Sequence, residues 1–388
     1  MRILIVNNNM HIGGVQKALV NLLWSIHERY EITLLLFYPG GKLLRELPPD
    51  VKVLGVDSAY RFLGMTNADV RGSLVNRLGR GLFAGVSRIF GRSAAVRIMA
   101  LGHKPLKDYD IAISYLHNSG DKVFYGGCND FVLNHVQAKK KVTFLHCDYQ
   151  LCGADTPRNA RQYAGFDAIA ACSRGCRESF LGANPGLSGR VRVVYNCHRF
   201  EIIRACAQVS PVGMKPRKIN VVTVARLGRE KGVPRAVEAI SLLGDEGKRI
   251  HYYIVGDGID KQLLLDVIRQ RNLEQTVTLC AEQDNPYGYI RGADLLLIPS
   301  VSEGAPMVIA EAACLATPVL STRTSSAEEM ITDTGYGWVC DNSVEGMRGA
   351  LEELIRSPED LRQKRQALSR MSFDNTLAVS GFEQLIGE

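Results

Sequence analysis

Two glutamates, Glu303 and Glu311, stand eight positions apart in the stretch VSEGAPMVIAEAACLAT at 301–317. Pro306 lies between them where a helix should begin, because its fixed φ suits a first helical residue and its missing N–H would have had no partner. The run Asp294-Leu295-Leu296-Leu297-Ile298 just before reads as a strand, ended by Pro299-Ser300. Strand, loop and helix in that order make the unit whose helix N-terminus holds phosphates. Glu303 then sits in the loop, with Glu311 about two turns into the helix. One carboxylate could meet a sugar and the other a ribose, with the amides near Met307 and Val308 facing a diphosphate between them. The same spacing also fits two surface glutamates around an ordinary helix.

Other constellations carry related chemistry. At 222–232 a strand delivers Arg226 and Lys231 into one loop. Two fixed cations five residues apart suit a diphosphate leaving group, whose charge grows as the bond to it breaks. The first loop, 7–16, ends in Gly13-Gly14-Val15-Gln16 ahead of a helix bearing Leu19, Leu22, Leu23 and Ile26. Paired glycines let a backbone approach a ligand closely, although a plain turn uses them too. His146 lies at the end of a strand-like run and is followed by Asp148, at the sheet edge where open α/β folds bind ligands. A structural histidine fits the same place. Val255-Gly256-Asp257-Gly258 lacks the third glycine of the dinucleotide fingerprint, which speaks against a nicotinamide enzyme.

The elements that must position these residues alternate along the whole chain. Strands are expected at 2–6, 31–37, 51–56, 110–115, 142–147, 167–171 and 191–195, then at 219–224, 251–255, 276–280, 294–298 and 318–321. Helical segments between them imply parallel α/β sheets. A Ser-Pro-Val-Gly-Met-Lys-Pro linker at 210–216 separates a domain at 1–210 from one at 211–372, with a helix at 373–388 packing back on the first. The 388 residues suit two domains, and 46% hydrophobic against 22% charged content describes a globular chain with an ample core. No apolar run approaches the roughly 20 residues that span a bilayer, and MRILIVNNNMHIGG reads as strand and loop rather than a signal peptide. Ten cysteines without a CxxC pair suggest thiols in a cytoplasmic setting rather than disulfides or zinc ligands.

Charge is uneven: residues 1–210 carry +12 and the remainder −5, so the two halves are expected to meet different partners. The segment 70–107 holds eight cations (Arg71, Arg77, Arg80, Arg88, Arg92, Arg97, Lys104 and Lys107) and no acid. On a helical wheel Leu74, Val75, Leu78, Leu82, Val86 and Ile89 share one side, with Arg71 and Arg92, while Arg77, Arg80 and Arg88 share the other. Five glycines between 72 and 91 weaken the helix. Either the segment meets an anionic membrane surface on the cytoplasmic side, or it is a core helix with a solvated basic face.

Taken together, these motifs resemble the retaining, nucleotide-sugar-dependent glycosyltransferases of family 4. The matching pieces are Gly13-Gly14-Val15-Gln16, Phe144-Leu145-His146-Cys147-Asp148-Tyr149, Arg226-Leu227-Gly228-Arg229-Glu230-Lys231-Gly232, Gly256-Asp257-Gly258, Asn285-Pro286-Tyr287 and the glutamate pair. The resemblance implies the GT-B fold, α/β with two Rossmann-like doubly wound domains facing a deep cleft. It implies that Arg226 and Lys231 neutralise the donor diphosphate, that Glu311 accepts from the ribose, and that Glu303 faces the donor sugar. Met307 and Val308 then give backbone N–H groups beside Pro306, Gly13, Gly14 and Gly256 complete the donor site, and His146 lies near the anomeric carbon. FLHCDY and NPY look closest to members that build cell-surface glycans. The partners implied are a nucleotide sugar, with UDP favoured, and a glycan or lipid-linked acceptor. No metal, no cofactor and no nucleic acid is expected. Ala305, often aromatic in the family, and Gln16, often Glu, leave the donor sugar open. A sugar-nucleotide 2-epimerase of the same fold and an inactive scaffold in a polysaccharide-assembly complex are the alternatives.

Overall fold

The computed structural model describes residues 1–101, 104–209 and 212–387. Gly102 and His103 of the basic segment, Ser210 and Pro211 of the expected linker, and Glu388 lie outside the described residues. The chain forms two compact units, Met1–Cys197 with Asn375–Glu388, and His198–Asp374.

The first unit is built on β1 (Arg2–Asn7), β2 (Glu31–Leu36), β3 (Lys52–Gly55), β4 (Leu106–Ser114), β5 (Val136–Leu145), β6 (Ala168–Ala171) and β7 (Val191–Val193). Every pairing is parallel, in the order β3-β2-β1-β4-β5-β6-β7. Central strands such as β1 and β2 are buried on both faces, which is why they read as continuous apolar runs rather than alternating ones. β5 begins well before the expected 142, running through Lys139, Lys140 and Lys141. Lys139 pairs with Asp110 of neighbouring β4 at 2.7 Å, while Lys140 and Lys141 reach helices, to Leu385 O and Leu133 O at 2.7 and 2.8 Å.

The second unit carries β8 (Ile219–Val224), β9 (Ile250–Val255), β10 (Val277–Leu279), β11 (Leu295–Ile298), β12 (Val319–Thr322) and β13 (Gly337–Cys340), parallel in the order β10-β9-β8-β11-β12-β13. β13 is not among the expected strands; it is four residues long and opens on a glycine, too short to show a strand's period. Neighbouring residues point into separate cores, as the period of a strand requires. Val221, Leu295 and Leu297 join one core with helices Val233–Ser241 and Val344–Arg356. Val222, Leu296 and Ile298 join the other with Phe200–Val209 and Met307–Cys314. The sheet is therefore doubly wound.

Chain order reverses between β1 and β4 in one sheet and between β8 and β11 in the other. Loops leaving the C-terminal ends of those strands frame the crevice where open α/β sheets hold ligands. The boundary between units lies at Cys197/His198, not at 210/211, because Phe200, Ile203 and Ala207 bury against Tyr253, Tyr287 and Ile290 of the second unit. The terminal helix Thr376–Gly387 places Ala378, Phe382, Leu385 and Ile386 in the first unit's core beside Leu19, Leu23 and Val194.

The helix over the basic segment, Leu74–Phe90, is reversed relative to the core-helix expectation. Its apolar stripe faces outward, with Leu74, Val75, Leu78, Leu82, Ile89 and Phe90 each 64–72% exposed. Arg92 belongs to the next helix, Arg92–Met99, and is fully buried. All ten cysteines are free of disulfides.

Candidate active site

The loops after β8 and β11 are tied together at the reversal of the second sheet. Lys231 Nζ donates to both carboxylate oxygens of Glu303, at 2.7 and 2.9 Å. Ser300 Oγ donates to Glu303 Oε1 at 2.6 Å, and the Val301 N–H donates to Glu230 O at 2.8 Å. The pair is shielded, with 25% of the Lys231 side chain and 10% of the Glu303 side chain exposed. Charges placed like this are screened far less than a surface pair.

Glycine permits the approach. Gly232 has φ +61°, and a Cβ there would stand 2.2 Å from Pro299 O. Gly256 lets the end of β9 meet the loop after β8: a Cβ would stand 1.9 Å from Ala225 O, and its N–H donates to Ala281 O at 2.8 Å. Its amide is thus engaged within the fold, and its contribution is to the position of Arg226. The Arg226 side chain is 70% exposed, with Nη2 donating to Glu230 Oε1 at 2.5 Å. Exposed i,i+4 pairs contribute only about 0.3–0.5 kcal/mol, so the guanidinium is easily reassigned to an anion.

Helix Met307–Cys314 starts one residue later than expected, because Pro306 is its extended N-cap at φ −63° and ψ 118°. Glu311 lies four residues past Met307, about one turn rather than two from the helix start, and it is buried. Amides in a first helical turn have no intrahelical acceptor, which leaves those of Met307 and Val308 at the mouth of the Glu303 loop. The loop is pinned by residues the sequence reading missed. Thr322 Oγ1 donates to Ser300 O at 2.6 Å, Asn342 Nδ2 to Val301 O at 3.0 Å, and Ser325 Oγ to Glu303 O at 3.1 Å. These come from β12 and later loops, which only topology brings alongside. Ser300 did carry a signal, a hydroxyl within the same loop as Glu303.

In the first unit, Gly13 is the extended N-cap of helix Gly14–Ile26, and nothing lies within 4 Å of where a Gly14 Cβ would stand. His146 follows β5 and packs on Tyr115 and Phe144, with ring centroids at 4.8 and 5.6 Å. His117, which was missed, lies in the loop just after β4 as His146 lies just after β5, and the two rings are 6.4 Å apart. The Nε2 of His146 and the Nδ1 of His117 are buried without hydrogen-bond partners. Burial lowers the His146 pKa to about 3, with nearby His117 adding to the effect, and lowers that of His117 to about 4. Both rings are neutral at pH 7. Asp148 shapes the turn after β5, accepting from the Leu151 N–H at 3.1 Å and from Ser179 Oγ at 2.6 Å.

An Asp-x-Asp triplet, Asp108-Tyr109-Asp110, lies in the N-terminal half of β4, away from this edge. Asp110 there accepts from the Arg2 N–H and pairs with Lys139. Among the described residues no group of three or more His, Cys, Asp or Glu is arranged to hold a metal ion.

Residues 209–370 match the family of glycosyl transferases group 1. That group 1 match contains Arg226, Lys231, Glu303 and Glu311, the residues whose loops meet at the switch point. AmsK of Erwinia amylovora, an amylovoran biosynthesis glycosyltransferase, is 28% identical over 174 residues, 39% of this chain and 43% of AmsK. A GDP-mannose-dependent alpha-(1-6)-phosphatidylinositol dimannoside mannosyltransferase of Mycobacterium tuberculosis is 27% identical over 208 residues, 53% of this chain and 54% of that one. The chain spans about half the length of the curated relatives it matches. HepE of Anabaena, whose crystal structure holds UDP-glucose, aligns over 100% of both chains with a TM-score of 0.67 at 18% identity. At that identity the likeness is one of fold. Two parallel-sheet Rossmann-like units of this kind make the GT-B fold.

Proposed function

We propose that the chain is a retaining glycosyltransferase. It moves a hexose or N-acetylhexosamine from a UDP-linked donor to a glycan acceptor, lipid-linked, in cell-surface polysaccharide synthesis at the cytoplasmic face of the membrane. The observation that carries this reading is the Lys231–Glu303 pair beside the N-terminus of helix Met307–Cys314, at the switch point and inside the group 1 match. The UDP-glucose held by HepE supports the UDP donor, GDP-mannose in the mycobacterial relative's name is the competing donor, and the phosphatidylinositol dimannoside in that name supports the lipid-linked acceptor.

In the proposed reaction the acceptor hydroxyl oxygen bonds to the anomeric carbon as that carbon's bond to the diphosphate oxygen breaks. The bonding pair leaves with the nucleoside diphosphate, and the acceptor proton passes to a leaving phosphate oxygen. Attack and departure on one face retain the configuration without a carboxylate nucleophile. Lys231, Arg226 and the Met307 and Val308 amides meet the growing diphosphate charge, so no metal is called for. Glu311 accepts from the ribose hydroxyls, and Glu303 yields part of Lys231 to the phosphate while accepting from a sugar hydroxyl. Gly14 is assigned to the diphosphate and neutral His146 to the sugar hydroxyls.

A screen of UDP- and GDP-sugars with lipid-linked glycan acceptors tests the reading. Release of UDP, with an unchanged anomeric configuration by NMR, is expected. Release of GDP alone would overturn the donor assignment, and conversion of the donor without acceptor would make the chain an epimerase.

A further inference from the structure

Helix Leu74–Phe90 is 17 residues long, about 25 Å, and its two sides are used in an unusual way. Apart from Phe83, the inner side is mostly small or polar where an amphipathic helix normally buries its apolar stripe. Gly79 comes close to the Phe62 ring, where a Cβ would stand 2.4 Å away, and Phe83 stacks on the same ring with centroids at 5.6 Å. Ser87 is buried. Arg80 is held by Met65 O at 2.8 Å and Asn67 Oδ1 at 3.0 Å, with its guanidinium over the Phe124 ring. It is a structural residue and not a free surface cation.

The outer side carries the six exposed apolar side chains from Leu74 to Phe90. Arg77 and Arg88 run along one flank, both exposed. Ile98 and Leu101 continue the apolar exposure at 48% and 77%, and Arg97, next to Ile98 in sequence, is exposed too. No Asp or Glu occurs anywhere in 70–107. We propose that this outer face is a membrane-docking surface that lies in the plane of an anionic bilayer, its apolar side chains among the acyl chains and Arg77 and Arg88 at the headgroups. The charge decides the occupant. A second copy of this chain would bring the same cations against one another, whereas an anionic leaflet complements them and also accepts a convex apolar stripe without a matching groove. Among the described residues no helix is long and apolar enough to cross a membrane, so attachment through this face is peripheral and weakened by salt.

Co-sedimentation of the full chain with vesicles tests this, comparing phosphatidylglycerol-containing with pure phosphatidylcholine vesicles at low and high salt. The wild type is expected to bind the anionic vesicles at low salt. Binding should fall by at least about tenfold in Leu78→Ser/Leu82→Ser/Ile89→Ser and should also weaken in Arg77→Ser/Arg88→Ser. Circular dichroism and Tm should not change, because these side chains are exposed. A wild type that ignores anionic vesicles at low salt would overturn the proposal, as would an apolar triple variant that binds like wild type. A wild type that ignores vesicles and sediments as a dimer, with the triple variant monomeric, would assign the face to a second copy instead.

Discussion

Lys231 and Glu303 neutralise each other in the structure, so the diphosphate of the proposed donor has to compete for the ammonium group. Lys231→Ala and Arg226→Ala should each lower kcat about a hundredfold, the loss of about 3 kcal/mol of leaving-group stabilisation. Their stabilities should differ. Lys231→Ala leaves a shielded carboxylate with Ser300 as a remaining donor and should cost about 1–3 kcal/mol, whereas exposed Arg226→Ala should cost less than about 0.5 kcal/mol. Urea unfolding and steady-state kinetics on the same samples check both. Calorimetry with UDP separates the glutamates: Glu311→Gln is expected to weaken binding, and Glu303→Gln, by releasing Lys231, to preserve or tighten it. The reverse order would end both assignments. His146 and His117 supply a pH signature. Their folded pKa values of about 3 and about 4 lie below the ordinary 6.5, so between those values the unfolded chain binds more protons than the folded one. Their contribution to stability is complete above pH 6.5 and is lost as pH falls towards 4. Thermal melts from pH 7.5 to 5 should show Tm falling, with a shallower fall in His146→Asn or His117→Asn.

At the scale of elements, glycines set how closely two loops approach. Gly232→Ala puts a methyl group into Pro299 O at a positive φ and should separate the Arg226–Lys231 loop from the Glu303 loop. A lower Tm and a lower kcat are expected together, since positive φ alone costs about 1–2 kcal/mol. Gly14→Ala is the contrasting case. Its Cβ meets open space at the start of a helix, so stability should hold or rise by up to about 1 kcal/mol. A fall in turnover of tenfold or more there reports a ligand lying against the backbone, and wild-type turnover removes Gly14 from the site. Arg92 shows how an element's register changes a residue's meaning. Buried beyond the Gly91 break at φ +82°, it donates to Asn159 Oδ1 at 3.0 Å and lies 3.9 Å from Asp130 Oδ2. It therefore holds the fold together, and a sequence count of membrane-facing cations includes it wrongly.

At the scale of the molecule, the chain leaves the first unit at Cys197 and returns to it at Asn375. The last helix is thus part of a core begun some 370 residues earlier, with Phe382 fully buried beside residues of helix Gly14–Ile26. Phe382→Ala should remove about 3–5 kcal/mol from the first unit and leave the second unaffected. The two tryptophans allow the test, since Trp24 belongs to the first unit and Trp338 to the second. With Trp338→Phe as one background and Trp24→Phe as the other, denaturant unfolding should show an earlier transition for the Trp24 probe alone. Equal shifts in both probes would mean that the units unfold as one.

The class of fold is legible in the residues alone, and so are the loops to which the proposed chemistry is assigned. Buried parallel strands must be apolar runs, and ligand loops must follow their C-terminal ends, so 219–224 and 294–298 point to Arg226, Lys231 and Glu303 before any contact is known. Tertiary structure alone decided what those residues touch. The Lys231–Glu303 pair joins residues 72 positions apart, and Thr322 and Asn342 reach the loop only because β12 lies beside β11. It also decided which way the helix Leu74–Phe90 turns. Periodicity separates an apolar side from a basic side and carries no information about which side meets the core. Here the close fit of Gly79 and Phe83 against Phe62, and the tethering of Arg80, turn the apolar side outward.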